Sequence, residues 1–277
     1  KDGNLNLQLL HALDTVSILE RSAGTVAQLR AMLPPQLDAQ TEIRAKSPTE
    51  IAFSLHGLEY ARIRHGLAPG SFTRRDEVVF GAGPSETALD EVTEDLFRDL
   101  MDRLVQSRHP AAKVRDALYR LQPERWLESV LRRDLSVLDS LLADAPVYSQ
   151  VPAFASASRG VLDLLTVNRR GRLVVLEIKA DDDLQLPLQA LDYWERVRML
   201  HRDGALTRHG YFPGVELAPE DPLLVLIAPA LHVHPANETV LRHFAAEIPW
   251  ELIAVDEHWR EHCRVVLRKR SSTLQQH

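Results

Sequence analysis

Two acidic residues and a lysine, Asp163, Glu177 and Lys179, interrupt two strongly apolar runs in the second half of the chain. The runs cover residues 161–167 and 172–180, and both are apolar on both faces, as is typical of strands buried inside a domain. A charge inside such a strand loses its hydration and is costly without a partner. These three residues are therefore the first candidates for chemistry.

The loop between the two runs determines how the charged residues face one another. Residues 169–171, Arg-Arg-Gly, form a natural three-residue hairpin loop with glycine at the left-handed position. This register sets Asp163 directly opposite Glu177, with Cβ atoms about 4.5–5.5 Å apart, and places Lys179 on the same face. A four-residue loop would shift the register by one and separate the two acids.

Two carboxylates that face each other inside apolar strands repel each other and lose hydration unless a cation lies between them. A hard divalent ion that prefers oxygen ligands, Mg²⁺ or Mn²⁺, fits this pair best. The alternative is a buried ion-pair cluster in which the lysine alone offsets the acids, but two acids and one base leave a net negative charge. The hairpin therefore predicts a metal site.

The elements predicted around this hairpin belong to an α/β (α+β) domain with a mixed central sheet flanked by helices. Pro123 is well placed to begin a helix over residues 124–143, which carries Glu128 in an otherwise apolar first turn. Strands follow at 146–154, 161–167 and 172–180, then a helix at 183–200 and a strand at 223–228. On the later helix, Gln189 and Tyr193 are four residues apart and share one side.

These motifs resemble the PD-(D/E)XK nuclease superfamily. Gly-Val-Leu-Asp at 160–163, Glu-Ile-Lys at 177–179 and Gln-Ala-Leu-Asp-Tyr at 189–193 follow in the family's order, after Glu128 on a helix. The glutamine-to-tyrosine spacing is similar to that of the RecB-like branch, although Leu162 stands where the nominal motif has proline. The similarity covers roughly residues 123–230 and implies a restriction-endonuclease-like core.

The resemblance implies a nuclease that hydrolyses phosphodiester bonds with Mg²⁺ or Mn²⁺. Asp163, Glu177 and the carbonyl of Ile178 would bind the ion, and Lys179 would orient the attacking water or stabilise the transition state. The helical residues would assist: Glu128 would reach the metal or its waters, Gln189 would position the lysine or a phosphate, and Tyr193 would support the helix or touch the nucleic-acid backbone.

Each helical candidate also has a purely structural interpretation. Arg196 is a candidate phosphate contact, and a solvated helix face is the alternative. The alternatives for the others are an exposed helix position for Glu128, a simple polar helix residue for Gln189 and a core or rim position for Tyr193.

The first part of the chain shares nothing with these motifs. Helical spacing over residues 5–33, short strands at 50–63 and 78–80, and a helix from Ser85 to about Ser107 predict a smaller α+β domain. In the strand region, His56 and Gly57 form a plausible hairpin turn. We expect a boundary between an N-terminal domain of unknown role, 1–122, and a nuclease-like domain, 123–277.

Composition limits the partners of this protein. The 277 residues carry a formal net charge of −6, which argues against non-specific coating of nucleic acid but leaves room for a local basic groove. The single cysteine, Cys263, excludes an intramolecular disulfide, and no leader or membrane-spanning run is visible, so we expect a cytoplasmic protein.

The expected partner is nucleic acid, DNA rather than RNA, and no membrane. A homodimer and a protein partner bound through residues 1–122 are further options. The alternative to an enzyme is a catalytically inactive nuclease-fold protein that serves as a binding or scaffold module.

Overall fold

The computed structural model describes the backbone of residues 8–67, 72–142, 146–155 and 158–275. These residues fall into two compact units, one of residues 13–126 and one that combines residues 8–12 with residues from 127 onward. The expected boundary lay at 122–123, and it assigned the first twelve residues to the N-terminal domain. The structure instead groups residues 8–12 with the C-terminal unit.

The described residues form both helices and strands, and none of the described helices is long and apolar enough to cross a membrane. In chain order the strands are β1 Gln8–Leu9, β2 Thr41–Ser47, β3 Glu50–Leu55, β4 Leu58–Leu67, β5 Arg74–Phe80, β6 Thr87–Ala88, β7 Tyr148–Ala155, β8 Ser158–Val167, β9 Leu173–Ile178, β10 Leu223–Pro229, β11 Trp250–Val255 and β12 Val265–Arg270. The helices are α1 Thr15–Arg21, α2 Ala23–Ala31, α3 Pro35–Asp38, α4 Glu94–Ser107, α5 Ala117–Arg120, α6 Pro123–Arg133, α7 Leu186–Arg202, α8 Ala205–Arg208, α9 Pro235–Arg242 and α10 Ser272–Gln275.

The C-terminal unit is built on a seven-stranded mixed sheet in the order β1-β7-β8-β9-β10-β11-β12. Strands β7, β8 and β9 form an antiparallel meander, whereas β9, β10 and β11 run parallel. The parallel step from β9 to β10 requires a crossover, which α7 supplies. The predicted mixed α/β architecture is therefore confirmed.

The core of this unit explains why its strands read as continuous apolar runs. Every residue of β9 and β11 is buried, as expected of strands that are covered on both faces. Helix α7 packs Ala190, Trp194 and Val197 into the same core. The indole Nε1 of Trp194 donates a hydrogen bond to the Pro222 carbonyl at 2.6 Å, so this large side chain also satisfies its polar atom.

The N-terminal unit is an antiparallel meander, β2-β3-β4-β5-β6, with its own core. The predicted turn between β3 and β4 is confirmed: His56 and Gly57 both have positive φ, at 46° and 73°. The buried Arg108 guanidinium donates to the His56 and Leu118 carbonyls at 2.8 Å each and lies 4.3 Å from the Trp126 ring centroid. Arg108 thereby fixes the turn between β3 and β4 to the C-terminal end of this unit.

Some predicted boundaries were wrong. The helix expected from Ser85 begins only at Glu94, because Thr87 and Ala88 pair with β5 as a fifth strand. The helix expected over 124–143 ends at Arg133, because the carboxylate of Asp134 accepts a hydrogen bond from the Ser136 N–H at 3.0 Å and caps a new short 3₁₀ turn.

Candidate active site at the strand fork

The hairpin between β8 and β9 has the predicted three-residue loop and register. Paired residues run from Val167 and Leu173 to Leu164 and Leu176. The Asn168 N–H donates to the Arg172 carbonyl at 2.9 Å, which closes the loop. Gly171 has a φ of 78°, so the predicted left-handed glycine is also confirmed.

Pairing between the two strands ends immediately before the acidic residues. In this register the next pair after Leu164 and Leu176 would be Asp163 and Glu177, but β8 continues toward Ser158 while paired only with β7. The Asp163 carboxylate accepts a hydrogen bond from the Ile178 N–H at 2.9 Å. The Asp163 carboxylate therefore takes the place of the β8 backbone carbonyl that would otherwise accept this hydrogen bond, and the two strands separate into a fork. We call the position of Asp163, Glu177 and Lys179 the strand fork.

The carbonyl of Ile178 faces the same fork. The backbone N–H and C=O of a strand residue point to the same edge, and successive residues alternate between the two edges. Lys179 points its N–H to the other edge, where it donates to the Ile227 carbonyl of β10 at 2.9 Å. Ile178 therefore presents its carbonyl on the Asp163 side. Two carboxylates and a carbonyl are the donor set that Mg²⁺ and Mn²⁺ prefer, so these residues fit the ion that the resemblance implies.

The lysine of the motif lies beside the buried acid. Only 1% of the Glu177 side chain is exposed, and its Oε1 lies 3.8 Å from the Lys179 Nζ. The two side chains share one face of β9, as predicted. Lys179 keeps 20% of its side chain exposed, in contrast to the buried Glu177.

Helix α7 joins two of the predicted helical residues to each other. The Gln189 amide Nε2 donates to the Tyr193 hydroxyl at 3.1 Å, as their four-residue spacing allows. Tyr193 is only 7% exposed and packs in the core of the unit. Arg196 is also buried, at 6% exposed, and its NH2 nitrogen lies 2.8 Å from the Asp192 carboxylate. It is not on an open helix face.

Glu128 is 3% exposed, with Leu127 and Leu131 of the same helix fully buried. The alternative of an exposed helix residue is therefore wrong. No group of three or more His, Cys, Asp or Glu side chains within the described ranges is arranged to hold a metal ion. Within the described ranges, the strand fork therefore offers two carboxylates, those of Asp163 and Glu177, as candidate metal ligands. Glu128 does not join them as a third ligand.

One acid at the site was not among the sequence-predicted residues. Asp183 Oδ2 lies 3.7 Å from the Lys179 Nζ, and its Oδ1 accepts a hydrogen bond from the Gln185 N–H at 2.7 Å. The Asp-Leu-Gln sequence directly before α7 is a signal for such a local turn, and Asp183 follows Lys179 by four residues. The Asp183 carbonyl also accepts a hydrogen bond from Asn237 Nδ2 at 3.2 Å. No pattern in the sequence around Asp183 predicts this contact, because Asn237 is distant along the chain.

Comparison with models of known protein families finds no match to this chain. A search among curated proteins finds no match either.

Proposed function

We propose that this protein is a cytoplasmic, metal-dependent nuclease that hydrolyses phosphodiester bonds of DNA at the strand fork. The observation that carries the proposal is the fork itself: Asp163 and Glu177 at the opening of a hairpin, with the Lys179 ammonium 3.8 Å from Glu177. Where β8 and β9 separate, strand pairing is lost inside an apolar core. A site for an ion and a phosphate explains this loss. The resemblance to PD-(D/E)XK nucleases supports the same function.

In this mechanism Asp163, Glu177 and the Ile178 carbonyl would hold Mg²⁺ or Mn²⁺. Such an ion lowers the pKa of a bound water and offsets the charge that builds on the scissile phosphate. Lys179 brings a positive charge to the same face, where it orients the attacking water or stabilises the transition state.

The helical residues support this arrangement from α7 and α6. Gln189 donates one amide hydrogen to Tyr193, which leaves its remaining polar groups for Lys179 or a phosphate. The buried pairing of Arg196 with Asp192 favours a supporting role over direct substrate contact. Glu128 belongs to α6, and we propose that it reaches the waters around the ion.

Cleavage assays on single- and double-stranded DNA with Mg²⁺ or Mn²⁺ test this function. We expect Asp163→Ala and Lys179→Ala each to lower the rate by at least about 100-fold. Asp181→Ala removes an exposed acid close by in the sequence and serves as the control, with a rate near that of the wild type. Metal-dependent cleavage that neither substitution at the fork changes would show that the activity comes from elsewhere.

The second candidate is a nuclease-fold protein that binds or recruits without cleaving. It is favoured by the net charge of −6 and by the absence of a third acidic, histidine or cysteine ligand within the described residues. This candidate predicts no metal binding. Calorimetry with Mn²⁺ separates the two, because tight binding by the wild type and none by Asp163→Ala is expected only of the nuclease.

A further inference from the structure

We propose that Asp183 is a positioning residue that holds the ammonium group of Lys179 at the strand fork. This inference rests on the proposed nuclease function and assigns a role to a residue outside the predicted motif. The Lys179 Nζ lies between two carboxylates, 3.8 Å from Glu177 Oε1 and 3.7 Å from Asp183 Oδ2. Asp183 is more exposed than Glu177, with 34% of its side chain accessible against 1%, so it holds the lysine from the solvent side.

Two hydrogen bonds fix Asp183 itself. The Gln185 N–H, one residue before α7, donates to Asp183 Oδ1 at 2.7 Å and closes a local turn. Asn237 of α9, only 1% exposed, donates to the Asp183 carbonyl at 3.2 Å. The acid is therefore held from two separate elements, one adjacent in sequence and one distant. A mobile loop acid would not offer the lysine a defined position.

The need for a second acid follows from the chemistry proposed for Glu177. A divalent ion bound by Glu177 would repel the neighbouring ammonium, and a lysine side chain has a flexible four-carbon stem on which to move away. Asp183 offers a counter-charge on the other side of the ammonium. Glu177 can then bind the ion while the lysine stays on the same face.

The decisive variant is Asp183→Asn, because the amide oxygen can still accept the Gln185 N–H and keep the turn. Asp182→Asn is the matched control: Asp182 is exposed, adjacent and without a hydrogen bond or ion pair to any described residue, and its change alters the net charge equally. With the full chain, Mn²⁺ and a DNA substrate, we expect Asp183→Asn to lower kcat about tenfold through misplacement of Lys179. We expect KM to be unchanged, and Asp182→Asn to leave both constants unchanged.

A readout independent of cleavage is the affinity for Mn²⁺ alone. Without Asp183, Glu177 is the one carboxylate partner of the ammonium among the described residues, and the ammonium competes with the ion for it. We expect calorimetry to show Mn²⁺ binding up to about fivefold weaker in Asp183→Asn than in Asp182→Asn, the range that a partly exposed ion pair allows. Asn237→Leu, which removes the donor to the Asp183 carbonyl, should shift affinity in the same direction.

The outcomes separate the two proposals. A wild-type chain that cleaves no DNA would overturn the nuclease and, with it, the catalytic purpose of positioning Lys179. An active wild type in which Asp183→Asn and Asp182→Asn have equal kcat, or an equal Mn²⁺ affinity of the two variants, would overturn the role of Asp183 alone. Loss of kcat in Asp183→Asn with equal melting temperatures of the two variants would support it.

Discussion

At the scale of single residues, Asp163 combines a structural task with a proposed chemical one. Its carboxylate accepts the hydrogen bond of the Ile178 N–H, which the sheet would otherwise satisfy with a backbone carbonyl. In the proposed nuclease, the same carboxylate would also provide negative charge for the ion. Because an amide can perform the first task but not the second, substitutions at this one position can separate stability from function.

We expect Asp163→Asn to lose less stability than Asp163→Ala in the absence of metal, because the amide oxygen still accepts the hydrogen bond of the Ile178 N–H. Asp163→Ala should lower the free energy of unfolding by about 1–2 kcal/mol, because it removes the acceptor. Both variants should lose Mn²⁺ binding. Urea unfolding and calorimetry measure these effects, and equal destabilisation by the two substitutions would contradict the hydrogen-bonding role.

Cys263 gives a prediction on pH. Burial, together with the nearby Asp134 and Asp256, raises the pKa of its thiol to about 11. A raised pKa favours the neutral thiol, and the thiolate is the nucleophile, so alkylation by iodoacetamide should be slow at neutral pH. We expect the rate to increase about tenfold per pH unit up to roughly pH 11. The urea-unfolded chain is the control, and its rate should level off near pH 8–9, as is usual for a free cysteine.

At the scale of elements, the hairpin was the most predictable part of the chain. Three residues, 169–171, determine its loop, and the loop determines the register of the paired residues from Val167 and Leu173 to Leu164 and Leu176. The end of pairing before Asp163 and Glu177 was not predicted, because the register alone places these two residues opposite each other. Strand β6 was missed for the opposite reason. Two residues have no measurable periodicity, and Ser85 offered a competing helix-capping signal.

The loop glycine gives a prediction on stability. A Cβ atom on Gly171 would lie 2.3 Å from the Glu216 carbonyl oxygen, and its φ is positive. Gly214 has a similar φ of 75° but nothing within 4 Å of its Cβ position. We expect Gly214→Ala to cost about 1–2 kcal/mol for the left-handed conformation alone, and Gly171→Ala to cost at least about 1 kcal/mol more from the clash. Urea unfolding of both variants checks the difference.

At the scale of the whole molecule, the sequence predicted the order of the elements from α6 to β10 but not which residues complete the sheet. Strand β1 pairs with β7, far along the chain, and carries Leu9 into the core. Local spacing predicted helix there, because pairing between distant residues leaves no local pattern. For the same reason, the Asn237 contact with Asp183 was invisible in the sequence.

Two adjacent leucines test the assignment of β1. Leu9 is 7% exposed and Leu10 is 54% exposed. We expect Leu9→Ala to destabilise the seven-stranded sheet by about 2–3 kcal/mol and Leu10→Ala to change it by less than about 0.5 kcal/mol. Hydrogen exchange at the amides of β7 and β8 localises the effect to this unit. Equal protection in the two variants would mean that β1 does not contribute to the sheet.

The opening between β8 and β9 also implies that a variant without the proposed site would be more stable than the wild type. The apolar runs on both sides of Asp163 and Glu177 are those of a continuous ladder, and valine at these two positions would let the strands close along their remaining length. Natural proteins commonly keep such costly positions where activity needs them. We expect this closed hairpin to have a higher melting temperature than the wild type and no metal affinity. The difference between the two melting temperatures would show how much folding stability the open site costs.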